Sequence, residues 1–226
     1  MLGTLVNVAA ILGGALLGHL LKAGLPERIK GIVLQAVGLS TFLIALKMVL
    51  EGRNVLIIFG SLVAGAVTGE LLMLEERLQK WGMSLQRRFS APGGGTFTQG
   101  FVTASLLYCV GAMAVMGSLE SGLTGNHATL FAKSVLDGIS AVMLTASFGF
   151  GVAFSAFPVF LYQGGITVLA SSLRPLLTGA VMAEMTATGG LLILGISLNI
   201  LEIKEIKVGN LLPALLYAFI LALLFS

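Results

Sequence analysis

The stretch His127-Ala-Thr-Leu-Phe-Ala-Lys133-Ser-Val-Leu-Asp137-Gly-Ile-Ser-Ala-Val-Met-Leu-Thr-Ala-Ser147 decides the fold class, because it is apolar, long and carries two opposite charges. A helical span needs about 20 apolar residues to cross about 30 Å of hydrocarbon. Lys133 and Asp137 stand four residues apart, so on a helix they lie one turn apart on the same face and can pair. Near the bilayer centre each costs roughly 2.5–3.5 kcal/mol to insert, so such residues persist where they face partners, water or a solute. This predicts a functional transmembrane helix. The plainer alternative is a buried pair that only pins neighbouring helices together.

The rest of the chain has the same character. Its 226 residues are 57% apolar and only 10% charged, with mean hydropathy +1.02, outside the range of soluble globular domains. The runs are too long and continuous for the alternating strands of an outer-membrane barrel, which leaves helices. The expectation is therefore an all-α fold: a polytopic membrane bundle of about eight spans forming a single integral membrane domain over 1–226. The net charge of +3 reflects basic loops between spans, which membrane topology explains, so no nucleic-acid partner is expected. The single Cys109 excludes an internal disulfide.

In chain order, Met1 to Leu21 reads as a retained first helix, followed by Lys22, Arg28 and Lys30. Gly13-Gly14 falls in its middle, and Gly14 and Gly18 form a small-residue face. Helix 2 is expected from about Lys30 to Leu50 and helix 3 from about Val55 to Leu74. Gly65 and Gly69 form a second small-residue face, and Glu70 is read as an interfacial carboxylate. Residues 1–74 make a first unit. From Glu75 to Phe89 the pattern becomes amphipathic, with Leu74, Leu78, Trp81 and Leu85 at helical spacing among Arg77, Lys80, Arg87 and Arg88. That suits a helix lying on an anionic membrane surface. Ala91 to Gly95 follows as a flexible connector closing the 75–98 segment.

Residues 99–149 hold helix 4, from about Gln99 to Leu119, and the charged helix 5, which ends at Gly149-Phe-Gly151; His127 in the turn before helix 5 is expected to be solvated. Residues 150–226 form a further unit. Helix 6 (about Val152–Leu173) contains Pro158, Gln163 and Gly164-Gly165, and helix 7 (about Leu176–Ile200) contains Glu184 and Gly189-Gly190. Proline and glycine pairs inside spans predict helix breaks at Gly13, Gly14, Pro158, Gly164 and Gly165.

Eight spans with the N-terminus outside put nine basic residues on the cytoplasmic side: Lys22, Arg28, Lys30, Arg77, Lys80, Arg87, Arg88, Lys204 and Lys207. Arg53 and Arg174 fall in outer loops, with Lys47 near an outer end. This bias places both termini outside. At an offset of 151, Gly13-Gly14 falls on Gly164-Gly165, Gly38 on Gly189, Glu51 on Glu202 and Arg53 on Lys204. Helices 1–3 then resemble helices 6–8 in opposite orientation, an inverted repeat of the kind found in transporters. At 1.5 Å per residue, Lys133 lies about 9 Å, Glu184 about 14 Å and Asp137 about 15 Å below the outer face. A midplane site of Asp137, Lys133 and Glu184, with Asn7 and Gln163 as further polar lining, is the expectation.

Met1-Leu-Gly-Thr-Leu-Val-Asn-Val8, Lys133-Ser-Val-Leu-Asp-Gly-Ile139, Leu161-Tyr-Gln-Gly164, Ala183-Glu-Met185, Gly189-Gly-Leu-Leu-Ile-Leu-Gly195 and Val208-Gly-Asn-Leu-Leu-Pro213 resemble the bacterial domain-of-unknown-function 554 family. The resemblance covers essentially the whole chain. It implies a bacterial polytopic inner-membrane protein of a family often labelled as transporters, and supplies no substrate or site residues.

The functional expectation is a secondary transporter or exporter of a small polar or ionic solute, driven by an ion gradient, since no nucleotide-binding loop is present. Asp137 and Glu184 would accept protons or cations, and Lys133 would be their charge partner. A channel and a membrane scaffold are the alternatives. No His-rich metal motif or Ser/His arrangement occurs in the spans, so neither an enzyme, a metal site nor a cofactor is expected. The partners expected are the lipid bilayer and the solute; the small-residue faces suit either a second copy of the chain or close packing inside one chain.

Overall fold

The computed structural model describes residues 1–22, 27–88, 96–109 and 112–225. Its α-helices are α1 (Leu2–Lys22), α2 (Glu27–Val49), α3 (Val55–Leu71), α4 (Leu74–Arg88), α5 (Thr96–Cys109), α6 (Ala112–Leu123), α7 (Ala128–Phe148), α8 (Ala156–Val168), α9 (Ala170–Leu173), α10 (Gly179–Ile200) and α11 (Pro213–Phe225). Short 3₁₀ segments, Phe150–Ser155 and Val208–Leu211, precede α8 and α11, and no strand occurs among the described residues. Helices satisfy their backbone polar groups internally, as hydrocarbon requires.

Among the described residues five segments are long and apolar enough to cross a membrane: Leu2–Leu21, Ala128–Phe148, Phe150–Val168, Gly179–Ile200 and Val208–Phe225. The number rises to seven if two bent pairs each count as one span, α3 with the start of α4, bent by 57°, and α5 with α6. Gln35–Val49 is a shorter apolar helix. Eight were expected; the five to seven found differ because helix 2 gives only the shorter Gln35–Val49, helix 3 counts only together with the start of α4, and helix 4 is two helices, α5 and α6.

Burial is inverted relative to a water-soluble protein. Leu5, Leu12, Leu16, Leu17 and Leu20 of α1 are exposed, while Asn7 on the same helix is fully buried. An apolar exterior around polar interior groups is what lipid selects.

The helices gather into two compact units. The first comprises Met1–Leu34, Trp81–Cys109 and Met113–Arg174. Its centre is the pair α1 and α7: Gly3 lies against Leu130, Asn7 meets Asp137, Gly14 lies against Gly138 and Gly18 against Val142. The contacts advance together, so the two helices run in the same direction. A Cβ at Gly14 would fall on the carbonyl oxygen of Gly138 and 3.0 Å from the Cβ of Ala141, so only glycine permits this approach. The helix α7 ends at Gly149, whose φ of 90° is open to glycine at little cost. The Phe150–Ser155 segment then packs against α5, with Phe97 and Phe154 rings 5.4 Å apart.

The second unit comprises Gln35–Lys80, Val110–Ala112 and Pro175–Ser226. Here α3 and α11 run antiparallel, with Gly65 against Ala214 and Gly69 against Asn210. Ile57, Val181 and Ala222 form a buried apolar cluster between α3, α10 and α11. The Ser197 hydroxyl of α10 donates to the Gly38 carbonyl of α2 at 2.8 Å. Of the two uses open to the small-residue faces, packing inside the chain is the one seen at Gly14, Gly18, Gly65 and Gly69.

The expected helix breaks fall elsewhere. Through Gly13-Gly14 α1 is continuous, and through Gly164-Gly165 α8 is continuous, since breaking a ladder in lipid exposes backbone groups at several kcal/mol each. Pro158 sits in the first turn of α8, where its missing N–H has no helical acceptor. The departures from α geometry are at Gly149 to Ser155 and before α11.

The expected amphipathic helix is α4, and its first turn is fastened. The Glu75 N–H donates to Asn210 Oδ1 at 2.7 Å, and the Gly209 N–H donates to Glu75 Oε2 at 2.7 Å. Asn210 Nδ2 donates to Glu70 at 2.5 Å, and Lys207 lies 3.5 Å from the same exposed carboxylate. The side chains of Trp81 and Leu85, and the Ala91–Gly95 connector, lie outside the described residues.

Candidate functional site

In the first unit four polar side chains converge from α1, α7 and α8. Helical spacing on α7 brings Lys133 Nζ to 2.8 Å from both Asp137 carboxylate oxygens, a bidentate ion pair. From α1, Asn7 Nδ2 donates to Asp137 Oδ2 at 2.9 Å and to Gln163 Oε1 of α8 at 3.3 Å. The Tyr108 ring lies 5.9 Å from the ammonium, within cation–π range. Lys133 and Asp137 are 6% and 5% exposed, Asn7 and Gln163 not at all, so these four polar groups have little but one another to satisfy them.

That satisfaction is incomplete. The ionised Asp137 only accepts, so Asn7 presents Nδ2 to it, and Gln163 presents Oε1 to Asn7. Asn7 Oδ1 and Gln163 Nε2 are then left buried without a hydrogen-bond partner among the described residues, as is the hydroxyl of Thr4, one turn before Asn7. Leaving such a group unpaired costs roughly 1–3 kcal/mol. The cluster is charge-balanced and holds a spare donor and spare acceptors.

Glu184 belongs to the second unit. The sequence expected it at midplane depth beside Asp137 and Lys133; its partners are instead the backbone N–H groups of Arg53 and Asn54, which donate to Oε1 at 2.9 and 2.8 Å. Those residues form the turn between α2 and α3, and Asn54 also caps α3 by accepting from the Leu56 N–H at 3.0 Å. Glu184 is 1% exposed and its Oε2 has no partner. One turn further along α10, Thr188 is fully buried with an unpartnered hydroxyl; the sequence reading passed over it.

His127, expected in a solvated turn, is half-buried, with Nδ1 3.0 Å from the Ser121 hydroxyl. Cys109 is a free, half-buried thiol. Among the described residues no group of three or more His, Cys, Asp or Glu is placed to hold a metal ion.

Residues 2–223 match the family described as "Protein of unknown function (DUF554)". The chain belongs to the DUF554 family. It is 32% identical over 220 residues to the "Uncharacterized membrane protein YdfK" of Bacillus subtilis (strain 168), covering 96% of this chain and 93% of that protein. It is 33% identical over 222 residues to the "Uncharacterized protein YqgA" of Escherichia coli (strain K12), covering 96% and 94%. No solved structure matches it. With its apolar exterior and five to seven candidate spans, this DUF554 chain is a helical membrane protein.

Proposed function

We propose that this DUF554 protein is a secondary transporter or exporter of a small polar or ionic solute, driven by an ion gradient across a bacterial inner membrane. The observation that carries the reading is the buried Lys133–Asp137 pair with Asn7 and Gln163, which leaves Asn7 Oδ1 and Gln163 Nε2 without partners. A purely structural cluster gains nothing from spare hydrogen-bonding capacity in lipid. A solute-binding cluster uses it: the solute supplies the missing donor and acceptor, and the Lys133–Asp137 pair opens to take up a solute charge. The 3₁₀ segment between α7 and α8 lets one end of the site rearrange without unwinding α7 itself.

One observation favours a scaffold reading instead. Asn7 bridges α1, α7 and α8 beside the glycine-mediated contact of α1 with α7, where polar groups also act as glue. Asp137→Asn separates the two, because it keeps the side-chain volume and some hydrogen bonding. Reconstituted in liposomes with candidate solutes under imposed ion gradients, the wild-type protein should show flux and the folded variant none. A variant with unaltered flux would overturn the proposed role of Asp137.

A further inference from the structure

The two buried acids are neutralised differently. Asp137 has an ammonium one turn earlier on its own helix, Lys133; the corresponding position before Glu184 is Ala180. Glu184 Oε1 is held by two backbone N–H groups, which orient it, while Oε2 is buried and has no partner among the described residues.

Beside it stands a second oxygen of the same kind. Elsewhere in these helices a serine or threonine hydroxyl usually donates to the carbonyl one turn back: Ser61 to Ile57, Ser134 to Leu130 and Thr167 to Gln163. Thr188, four residues after Glu184 on the same face of α10, does not, and its hydroxyl is buried and unpartnered. Side chains on a helix lean toward its N-terminus, so Thr188 leans toward Glu184.

We infer that Glu184 and Thr188 form the oxygen-lined part of a binding site for a monovalent alkali cation, the ion whose gradient drives the transport proposed above. In the second unit the cation takes the place that the Lys133 ammonium occupies in the first. One carboxylate supplies one negative charge, which balances a monovalent ion; calcium sites use several carboxylates. Hydroxyl and carboxylate oxygens suit a hard cation. The two N–H bonds to Oε1 hold the carboxylate so that Oε2 is available to the ion, and they tie occupancy to the α2–α3 turn. The role as coupling ion rests on the transporter reading; binding itself does not.

The experiment is thermal unfolding of the purified full-length protein in detergent, titrated with sodium chloride, potassium chloride or choline chloride at matched ionic strength. A ligand that binds only the native state raises the midpoint in a saturable way. Sodium or potassium should do so and choline should not. Glu184→Gln keeps an acceptor for Arg53 and Asn54 but loses the charge, and should abolish the shift. Thr188→Val should weaken half-saturation at least about tenfold, as expected for losing one ligand to a charged group. Asp137→Asn should leave the shift intact. An alkali response no larger than that of choline, or one retained in either α10 variant, would overturn the inference. Gradient-driven flux without an alkali shift would sink the cation site and leave transport standing; a specific shift without flux would do the reverse.

Discussion

Lys133 and Asp137 could be read from sequence because both belong to one helix, and a four-residue spacing fixes their meeting before any tertiary structure is known. Asn7 and Gln163 were recognisable as polar residues inside apolar runs, but their bonds span 130 and 156 residues, which periodicity does not encode. The partners of Glu184 were invisible for another reason: backbone N–H groups exist at nearly every residue and leave no side-chain signal. Thr188 was passed over because a threonine in an apolar helix ordinarily satisfies itself on its own backbone. The buried pair also gives a stability contrast. Lys133→Met alone strands a carboxylate and should destabilise by roughly 3–5 kcal/mol, whereas Lys133→Met with Asp137→Leu should be neutral or stabilising by roughly 1–4 kcal/mol. Unfolding midpoints with flux on both variants check this. The transport reading expects a stable, inactive double variant, and a stable double variant with full flux would leave the pair a structural role only.

At the level of elements, the positions of the helices followed from hydropathy, and their interruptions did not. Glycine pairs within α1 and α8 stayed helical; Gly14 is used for close packing against Gly138, whereas a Cβ at Gly13 or Gly165 would meet nothing within 4 Å. The Gly149 to Ser155 departure was legible only as the end of helix 5. Gly14→Leu should force α1 away from α7, destabilise the protein by about 1–3 kcal/mol as overpacking does, and separate Asn7 from Asp137, so flux should fall with it. An unchanged unfolding midpoint and flux would contradict the close packing described. Between α3 and α4 the chain turns at Met73, a non-glycine residue with φ of 50°. Left-handed backbone costs such a residue roughly 1–2 kcal/mol. Met73→Gly should therefore raise stability by up to about 1 kcal/mol, measured by thermal unfolding; a loss would mean that the Met73 side chain contributes more than its backbone strain costs.

For the whole molecule, the charge bias predicts that both termini are outside and the Arg-rich α4 inside. Reporter fusions after Ser226 and at Gly94 should report opposite sides of the membrane, and a cytoplasmic C-terminus would remove the proposed topology. The parallel run of α1 and α7 means that the two helices cross in the same direction. The same arrangement imposes a delay during synthesis. Asn7 is made almost first, yet its partners on α7 and α8 come 130 and 156 residues later. At about 5–20 residues per second the ribosome takes roughly 8–30 s to deliver Gln163. Throughout that interval a newborn helix with an amide in its apolar length must wait in the bilayer or be sheltered by the insertion machinery. Maturation of the first unit is thus timed by α8, and a nascent chain stalled before residue 137 would leave α1 an orphan for quality-control proteases to recognise.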